Sequence, residues 1–225
     1  MYLTKTWNNR EEQIKFWLRK LGIKSVIDVG ANRGNFGSML RYIGYTGEIH
    51  SYEPPSHAYA MLKRATLGDA KWIVHDRMAI GAETGATKIR VAGNSYSSSI
   101  LSPQPFFKEV VAKELNMSVA TVEEERVDVH RLDDVYRIPD VPFMLKIDTE
   151  GFEDRVLDGA TAILPRTSLA CIEMQLVPLY DGAATFDQIY PRLLAAGMKC
   201  VGLHKAFASH SLGKLLATDG IFVRE

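Results

Sequence analysis

Val26-Ile27-Asp28-Val29-Gly30-Ala31-Asn32-Arg33-Gly34 joins a β-branched apolar run to a glycine-rich turn, and a helical stretch over 35–43 follows it. A short strand that ends in glycine and feeds a helix is the opening of a βα unit. Two phosphate cradles share that outline, and neither fits. The dinucleotide fingerprint G-x-G-x-x-G, started at Gly30, needs glycine at 32 and 35, where Asn32 and Asn35 stand. The P-loop pattern G-x-x-x-x-G-K-[ST] is absent. The turn admits a ligand close to the backbone without the features that grip a pyrophosphate, unless its glycines serve only the geometry of a tight turn.

The alternation continues on both sides of this turn. Strands are expected at 48–53 and 71–75 with a helix over 56–65 between them, then at 143–148, 169–173, 199–203 and 221–224, with helices near 153–157 and 184–196. Strand and helix in regular alternation predict an α/β fold with a mostly parallel sheet and right-handed crossovers. Upstream, Ile14, Trp17, Leu18 and Leu21 recur at helical spacing, so residues 1–22 are read as an N-terminal segment built around an amphipathic helix. Asn9 caps its start, Gly22 ends it, and Lys15, Arg19 and Lys20 occupy the opposite face. A helix covering one side of a sheet explains the stripe; a membrane-surface helix is the other reading. Between about 80 and 135 the rhythm breaks into an edge strand at 88–92, a serine-rich loop at 95–102, a weak helix at 106–115 and a second edge strand at 126–132. These predict a β-rich insertion within one domain spanning residues 1–225.

At 225 residues, the chain is closer to one large domain than to two small ones, and its 46% hydrophobic content is too high for disorder. The 27 basic and 27 acidic residues balance, which argues against nucleic-acid binding driven by bulk charge. Cys171 and Cys200 lie in apolar runs without a partner at metal-site spacing, which suits a reducing compartment. The start lacks the apolar stretch of a signal peptide, and the longest uncharged window, 91–107, holds five serines and two prolines. The expectation is a cytoplasmic protein without stable membrane insertion.

Three carboxylates stand at or near the ends of successive strands: Asp28, Glu53 and Asp76. At the carboxyl edge of a parallel sheet, Glu53 is placed to accept both hydroxyls of a ribose, and Asp76 to meet an adenine amino group. The three are expected to line one crevice.

The D-V-G-A-N-x-G turn, the Y-E-P after the second strand and the K-I-D-T-E-G-F-E run at 146–153 resemble the FkbM family of S-adenosylmethionine-dependent methyltransferases. The resemblance extends over about 25–225, including the N-S-Y-S-S-S loop and the closing D-G-I-F-V-R. Thr149 departs from the pattern, where an aliphatic residue is expected. The resemblance implies a Rossmann-like class I methyltransferase fold, with seven strands, the last antiparallel, and helices on both faces. It also implies roles by position. Gly30, Asn32 and Gly34 pack against the methionine part of the cofactor, Asp28 helps hold its amino group, Glu53 binds the ribose, and Asp76 meets the adenine beside an apolar wall at Met78. S-adenosylmethionine carries a ribose and an adenine but no phosphate, in keeping with the missing phosphate signatures.

On the reacting side, Asp148 and Glu150 emerge where the fourth parallel strand ends, placed to orient or deprotonate an acceptor hydroxyl. Glu150 as a helix N-terminal acid is the alternative, and Glu153 belongs to that class. Lys146 is either a structural partner of these acids or a participant. Asp148, Glu150 and Glu173 are a second possibility, as ligands of one Mg²⁺, which is not expected. Ser97, Ser98 and Ser99 are candidate acceptor contacts, or a plain loop. The segment after Leu203, with His204, Lys205 and His210, is expected over the ligand edge, with either histidine a candidate base. The function expected is O-methylation of a small hydroxylated molecule or glycan, with no nucleic-acid partner. N-methylation of an amine, and a non-catalytic binding domain of the same fold, are the alternatives. Oligomeric state leaves no mark in the sequence.

Overall fold

A computed structural model describes residues 9–94 and 97–225. Residues 1–8 of the N-terminal segment, and Ser95 and Tyr96 of the serine-rich loop, lie outside the described residues. The chain runs α1 (Arg10–Lys20), β1 (Ser25–Val29), α2 (Asn35–Tyr42), β2 (Glu48–Tyr52), α3 (Ser56–Ala65) and β3 (Trp72–Val74). It continues through β4 (Ala79–Ile80), β5 (Gly85–Ala92), α4 (Pro105–Leu115), β6 (Thr121–His130) and α5 (Leu132–Val135). The last part holds β7 (Phe143–Ile147), α6 (Glu153–Asp158), β8 (Leu169–Gln175), α7 (Phe186–Ala195), β9 (Lys199–Ser209) and β10 (Lys214–Val223).

The main sheet has seven strands in the order β3-β2-β1-β7-β8-β10-β9. The pairings among β3, β2, β1, β7 and β8 are parallel, and β10 runs antiparallel to both β8 and β9. From β1 the chain first winds outward through β2 and β3, then returns to place β7 on the other side of β1. That reversal opens a crevice above the carboxyl ends of β1 and β7, where open α/β sheets bind ligands.

Both faces of the sheet are covered, which is why every residue of β1 and β7 is buried. Alternation sends Val26 and Met144 to one face, against Ile14, Trp17 and Leu18 of α1, Phe36 and Leu40 of α2, and Leu62 of α3. Ile27, Val29, Leu145 and Ile147 face the other side, against Leu132 of α5, Val156 and Leu157 of α6, and Ile189 and Leu193 of α7. The α1 stripe is therefore core packing. Its cap is as expected, with Asn9 Oδ1 accepting from Glu12 N at 2.9 Å.

The interruption at 80–135 forms a second, three-stranded sheet, β4-β6-β5, and α4. Phe107, Val110 and Val111 of α4 pack on Leu179 and Tyr180 beyond β8 and on Leu216 and Ala217 of β10. The insertion is thus fastened across the top of the main sheet.

The largest departure from expectation is at the C-terminal end. Strands expected at 199–203 and 221–224 are a long hairpin, paired from Lys199–Val223 out to Ser209–Lys214. Ladder pairing overrides the weak strand signal of Asp219 and Gly220. As a consequence His204 and Lys205 stand inside β9, not in a loop over the ligand edge.

Candidate functional site

The crevice above β1 and β7 is a cavity whose floor is the glycine turn. Gly30 has φ +75°, and a Cβ there would sit 1.8 Å from the carbonyl oxygen of Asp148. Only glycine lets the two loops touch this closely. The Gly30 and Ala31 amides both donate to Tyr52 O at 3.1 Å, and Asp148 N donates to Val29 O at 3.1 Å. The turn is therefore tied to β2 on one side and to the β7–α6 loop on the other.

Glu53, one residue beyond β2, is 5% exposed and accepts from the Asn32 amide at 2.6 Å. Burial pushes its carboxyl up to about 8, while the Asn32 amide and Lys146 work in the opposite direction. A buried carboxylate with spare lone pairs, opening on a cavity, is well made for neighbouring hydroxyls.

The β7–α6 loop carries the reacting side. Glu150 takes φ +56°, a left-handed conformation that costs a non-glycine residue about 1–2 kcal/mol. Two contacts hold it there: Ser99 Oγ donates to Glu150 O at 2.7 Å, and the Tyr180 hydroxyl donates to Glu150 Oε2 at 2.7 Å. Burial, then the adjacent Asp148 charge, raise the Glu150 carboxyl to about 8, against the Tyr180 hydrogen bond. Glu153, the first residue of α6, is spent on the loop itself, its Oε1 accepting from Thr149 N, Thr149 Oγ1 and Gly151 N. The unexpected Thr149 thus adds one hydrogen bond to that staple.

Lys146, on β7, reaches Gly30 O at 2.6 Å, Asp28 Oδ1 at 3.1 Å and Asp148 Oδ2 at 3.7 Å. Asp148, Glu150 and Glu173 converge, with one oxygen of each within 4.8 Å of the others, close enough to share a divalent cation. Burial and the Asp148 and Glu150 charges hold Glu173 well above the ordinary carboxylate range.

Of the residues singled out in the sequence, Gly30, Asn32, Glu53, Met78, Ser98, Asp148 and Glu150 line this one cavity. The others are placed elsewhere, each for a visible reason. The crevice of three carboxylates reduces to Glu53. Asp28 lies below the floor, fully buried, as the counter-ion of Lys146. Asp76 is exposed outside the lining, because the chain leaving β3 turns Met78 inward instead. Gly34 caps α2 against Leu62 and Trp72, behind the cavity. Ser97 is one step back, its carbonyl 3.2 Å from the Tyr180 hydroxyl. His204 Nε2 lies 2.6 Å from Gln13 Oε1 of α1, away from the cavity.

Sequence reasoning missed Tyr180, Arg10 and Asp219, and it named Ser99 as an acceptor contact, whereas its hydroxyl is bound to Glu150 O. Arg10 of α1 and Asp219 of β10 form an ion pair on the cavity wall. Tyr180 follows a strand in a stretch with no periodic signal, so no pattern marks it. Asp219 sits in the D-G-I-F-V-R stretch, which carries the resemblance without a role.

A sequence-family model described as the methyltransferase FkbM domain matches residues 28–200. Among solved structures, the chain is similar to methyltransferase FkbM from Methylobacillus flagellatus KT, with a TM-score of 0.54 and 19% identity, over 89% of this chain and 43% of that one. It thus spans less than half the length of that relative. It is also similar to an rRNA methylase from Streptococcus thermophilus, with a TM-score of 0.52 and 10% identity, over 97% of this chain and 98% of that one. At these identities the structures share a fold with this chain. No curated protein sequence matches it.

Proposed function

The chain belongs to the methyltransferase FkbM domain family, and from that premise we propose that it methylates a hydroxyl group of a sugar, glycolipid or other small hydroxylated molecule, using S-adenosylmethionine. The observation that carries this reading is the meeting of two halves at one cavity. A glycine floor and the buried Glu53 carboxylate suit a phosphate-free nucleoside, and Asp148 and Glu150 stand across from them. The cradle at Gly30 is a space that a single Cβ would fill, which fits a ligand lying on the backbone.

When bound, S-adenosylmethionine supplies a methyl group already activated on a sulfonium. Glu53 binds the ribose hydroxyls, and the turn at Gly30 and Asn32 supports the amino-acid end. Glu150 in its ionised form would accept the proton that the hydroxyl loses on methylation, and with burial holding its carboxyl at about 8 that form grows as pH rises through neutrality. Asp148 helps orient that hydroxyl, and alignment supplies much of the rate in a displacement. Tyr180 keeps Glu150 in place.

The charge of the lining supports a neutral acceptor over a nucleic acid. Glu11, Glu53, Asp148, Glu150 and Asp219 line the cavity against Arg10 and Lys146, and both cations are already paired. A phosphate entering the cavity would find both of these cations already committed to carboxylates. Among the described residues, no helix is long and apolar enough to cross a membrane. Cys171 and Cys200, free thiols, suit a cytoplasmic setting.

The test begins with calorimetric titration of cofactor-stripped protein against S-adenosylhomocysteine, NAD and ATP. Saturable binding of the first alone is expected; its absence would sink the cofactor assignment. A screen with radiolabelled S-adenosylmethionine then compares glycosides and other alcohols with amines and RNA, with Mg²⁺ and with EDTA. Label in an amine overturns the hydroxyl reading, and label in RNA overturns the small-molecule acceptor. The convergence of Asp148, Glu150 and Glu173 favours a second reading, in which a divalent cation holds the acceptor. Turnover abolished by EDTA and restored by Mg²⁺ would establish it.

A further inference from the structure

We infer that Lys146 is a positioning residue of the cofactor site, acting through the Gly30 carbonyl and Asp148 and not merely neutralising Asp28. The inference rests on the assignment of the cofactor to the cleft between Gly30 and Glu53.

A lysine inside the strand Phe143–Ile147, every residue of which is buried, is costly to place, because an ammonium taken out of water must recover its hydration from protein groups. Lys146 does so with a full set of partners. Its stem passes Phe36, with Nζ 5.7 Å from the ring centre. Its Nζ donates to Gly30 O at 2.6 Å and to Val29 O at 3.4 Å, and stands within ion-pair distance of Asp28 Oδ1 and Asp148 Oδ2, at 3.1 and 3.7 Å. The partners belong to the glycine turn, to β1 and to the β7–α6 loop. A counter-ion for Asp28 needs only one of them, and the shortest contact is to the backbone carbonyl.

That carbonyl matters because of the peptide it belongs to. The amide between Gly30 and Ala31 is held at its N–H end by Tyr52 O and at its C=O end by Lys146 Nζ. The preceding amide, between Val29 and Gly30, is held by Tyr52 O at its N–H and by Asp148 N at its C=O. A glycine populates several backbone basins almost equally, so an amide fastened at one end only is free to rotate. Lys146 removes that freedom from the peptide that forms the cavity floor. It ties the same floor to Asp148 across the site.

The test separates this role from charge pairing by removing both charges. Lys146→Met alone leaves Asp28 buried and unpaired, and is expected to unfold readily. The pair Asp28→Asn with Lys146→Met leaves no unpaired charge below the floor, Asp148 being 40% exposed to water, and its melting temperature is expected to return close to that of Asp28→Asn. S-adenosylhomocysteine affinity, read by calorimetry, is expected to stay at least about tenfold weaker in the pair than in Asp28→Asn. Hydrogen exchange at the Ala31 amide, read without ligand, is expected to be faster in the pair. Equal affinity and equal Ala31 exchange in the two variants would overturn the inference and reduce Lys146 to a counter-ion. Should the pair not refold, Asp28→Asn with Lys146→Leu, which likewise offers Gly30 O no donor, takes its place under the same criteria. If folded wild-type protein binds no S-adenosylhomocysteine, the cofactor assignment fails by itself, while the Ala31 exchange still reports on the clamp.

Discussion

The Tyr180 hydroxyl donates to Glu150 Oε2 at 2.7 Å, joining the loop beyond β8 to the loop beyond β7. The same oxygen lies 3.2 Å from Ser97 O, so a single hydroxyl proton stands between the candidate catalytic carboxylate and the serine segment. The Tyr180 ring is fully buried and packs edge-on against Phe107, with centroids 5.4 Å apart. Tyr180→Phe keeps that packing and removes only the donor. A hydrogen bond to a carboxylate is worth about 1.5–3 kcal/mol, so turnover on the acceptor is expected to fall by about ten- to a hundredfold. S-adenosylhomocysteine affinity should hold, since Tyr180 does not line the cofactor floor. An equal loss of affinity and rate would show instead that Tyr180 supports the fold as a whole.

Glu53 makes cofactor binding depend on pH. Burial lifts its carboxyl to about 8, so in the ligand-free protein it is largely protonated at neutral pH. The ionised form is the one that accepts both ribose hydroxyls, so S-adenosylhomocysteine affinity should rise with pH through about 8. Binding near neutral pH should release a proton, measurable by calorimetry in buffers of different ionisation enthalpy. Glu53→Gln should bind more weakly, with the pH dependence flattened. Stability runs the other way. The folded-state pKa lies above the ordinary value of 4.5, so the contribution of this group is fully present below that value and is lost as pH rises toward about 8. A melting temperature that falls across that window in wild type, but not in Glu53→Gln, would check the sign.

The legible parts of this molecule are those fixed by short-range rules. The turn at Gly30 follows from a β-branched run ending in glycine. The convergence of Asp148, Glu150 and Glu173 follows from strand ends in one parallel sheet, because parallel register aligns neighbouring termini. What was hidden depends on long-range pairing. Lys146 faces Asp28 because β1 and β7 are neighbours with that register, and nothing local to either residue states it. Tyr180 meets Glu150 through an aperiodic loop whose position is set by α4 packing on top of it. Asp219 looks like an interruption in a strand, yet it is 7% exposed because Arg10 arrives from the far end of the chain.

That Arg10–Asp219 pair fastens α1 to β10 at the cavity wall. The Arg10 side chain remains 30% exposed, so solvent weakens the pair relative to a fully buried one. Arg10→Ala is expected to cost about 1–2 kcal/mol, below the 3–5 of a fully buried pair. At about 2–4 °C per kcal/mol for a chain of this size, the melting temperature should drop by a few degrees. Arg10 and Glu11 both line the cavity, so release of this end of α1 should also speed S-adenosylhomocysteine dissociation, followed by stopped-flow displacement. Asp219→Asn added to Arg10→Ala should recover most of the stability, since no charge is then left unpaired. A double variant no more stable than Arg10→Ala would show that the pair is not what holds α1.

Gly30→Ala should be the most damaging single methyl group in the cavity. Its Cβ would lie 1.8 Å from Asp148 O and 2.8 Å from the carbonyl carbon, and both are backbone atoms that no side-chain rotation can move aside. To make room, the glycine turn must rise or the β7–α6 loop must retreat, and either motion breaks the contacts of Lys146 and of the Asp148 amide at the top of β1. Overpacking of this kind costs about 1–3 kcal/mol, and the positive φ adds about 1 kcal/mol for any residue with a Cβ. Gly68→Ala is the matched control, because Gly68 has φ +87° and no atom within 4 Å of its ideal Cβ. It should lose only the backbone share and keep S-adenosylhomocysteine affinity unchanged. Gly30→Ala should lose both stability and binding, read by thermal unfolding and calorimetry on the two variants side by side. Retention of wild-type affinity in Gly30→Ala would mean that the ligand does not lie on this turn.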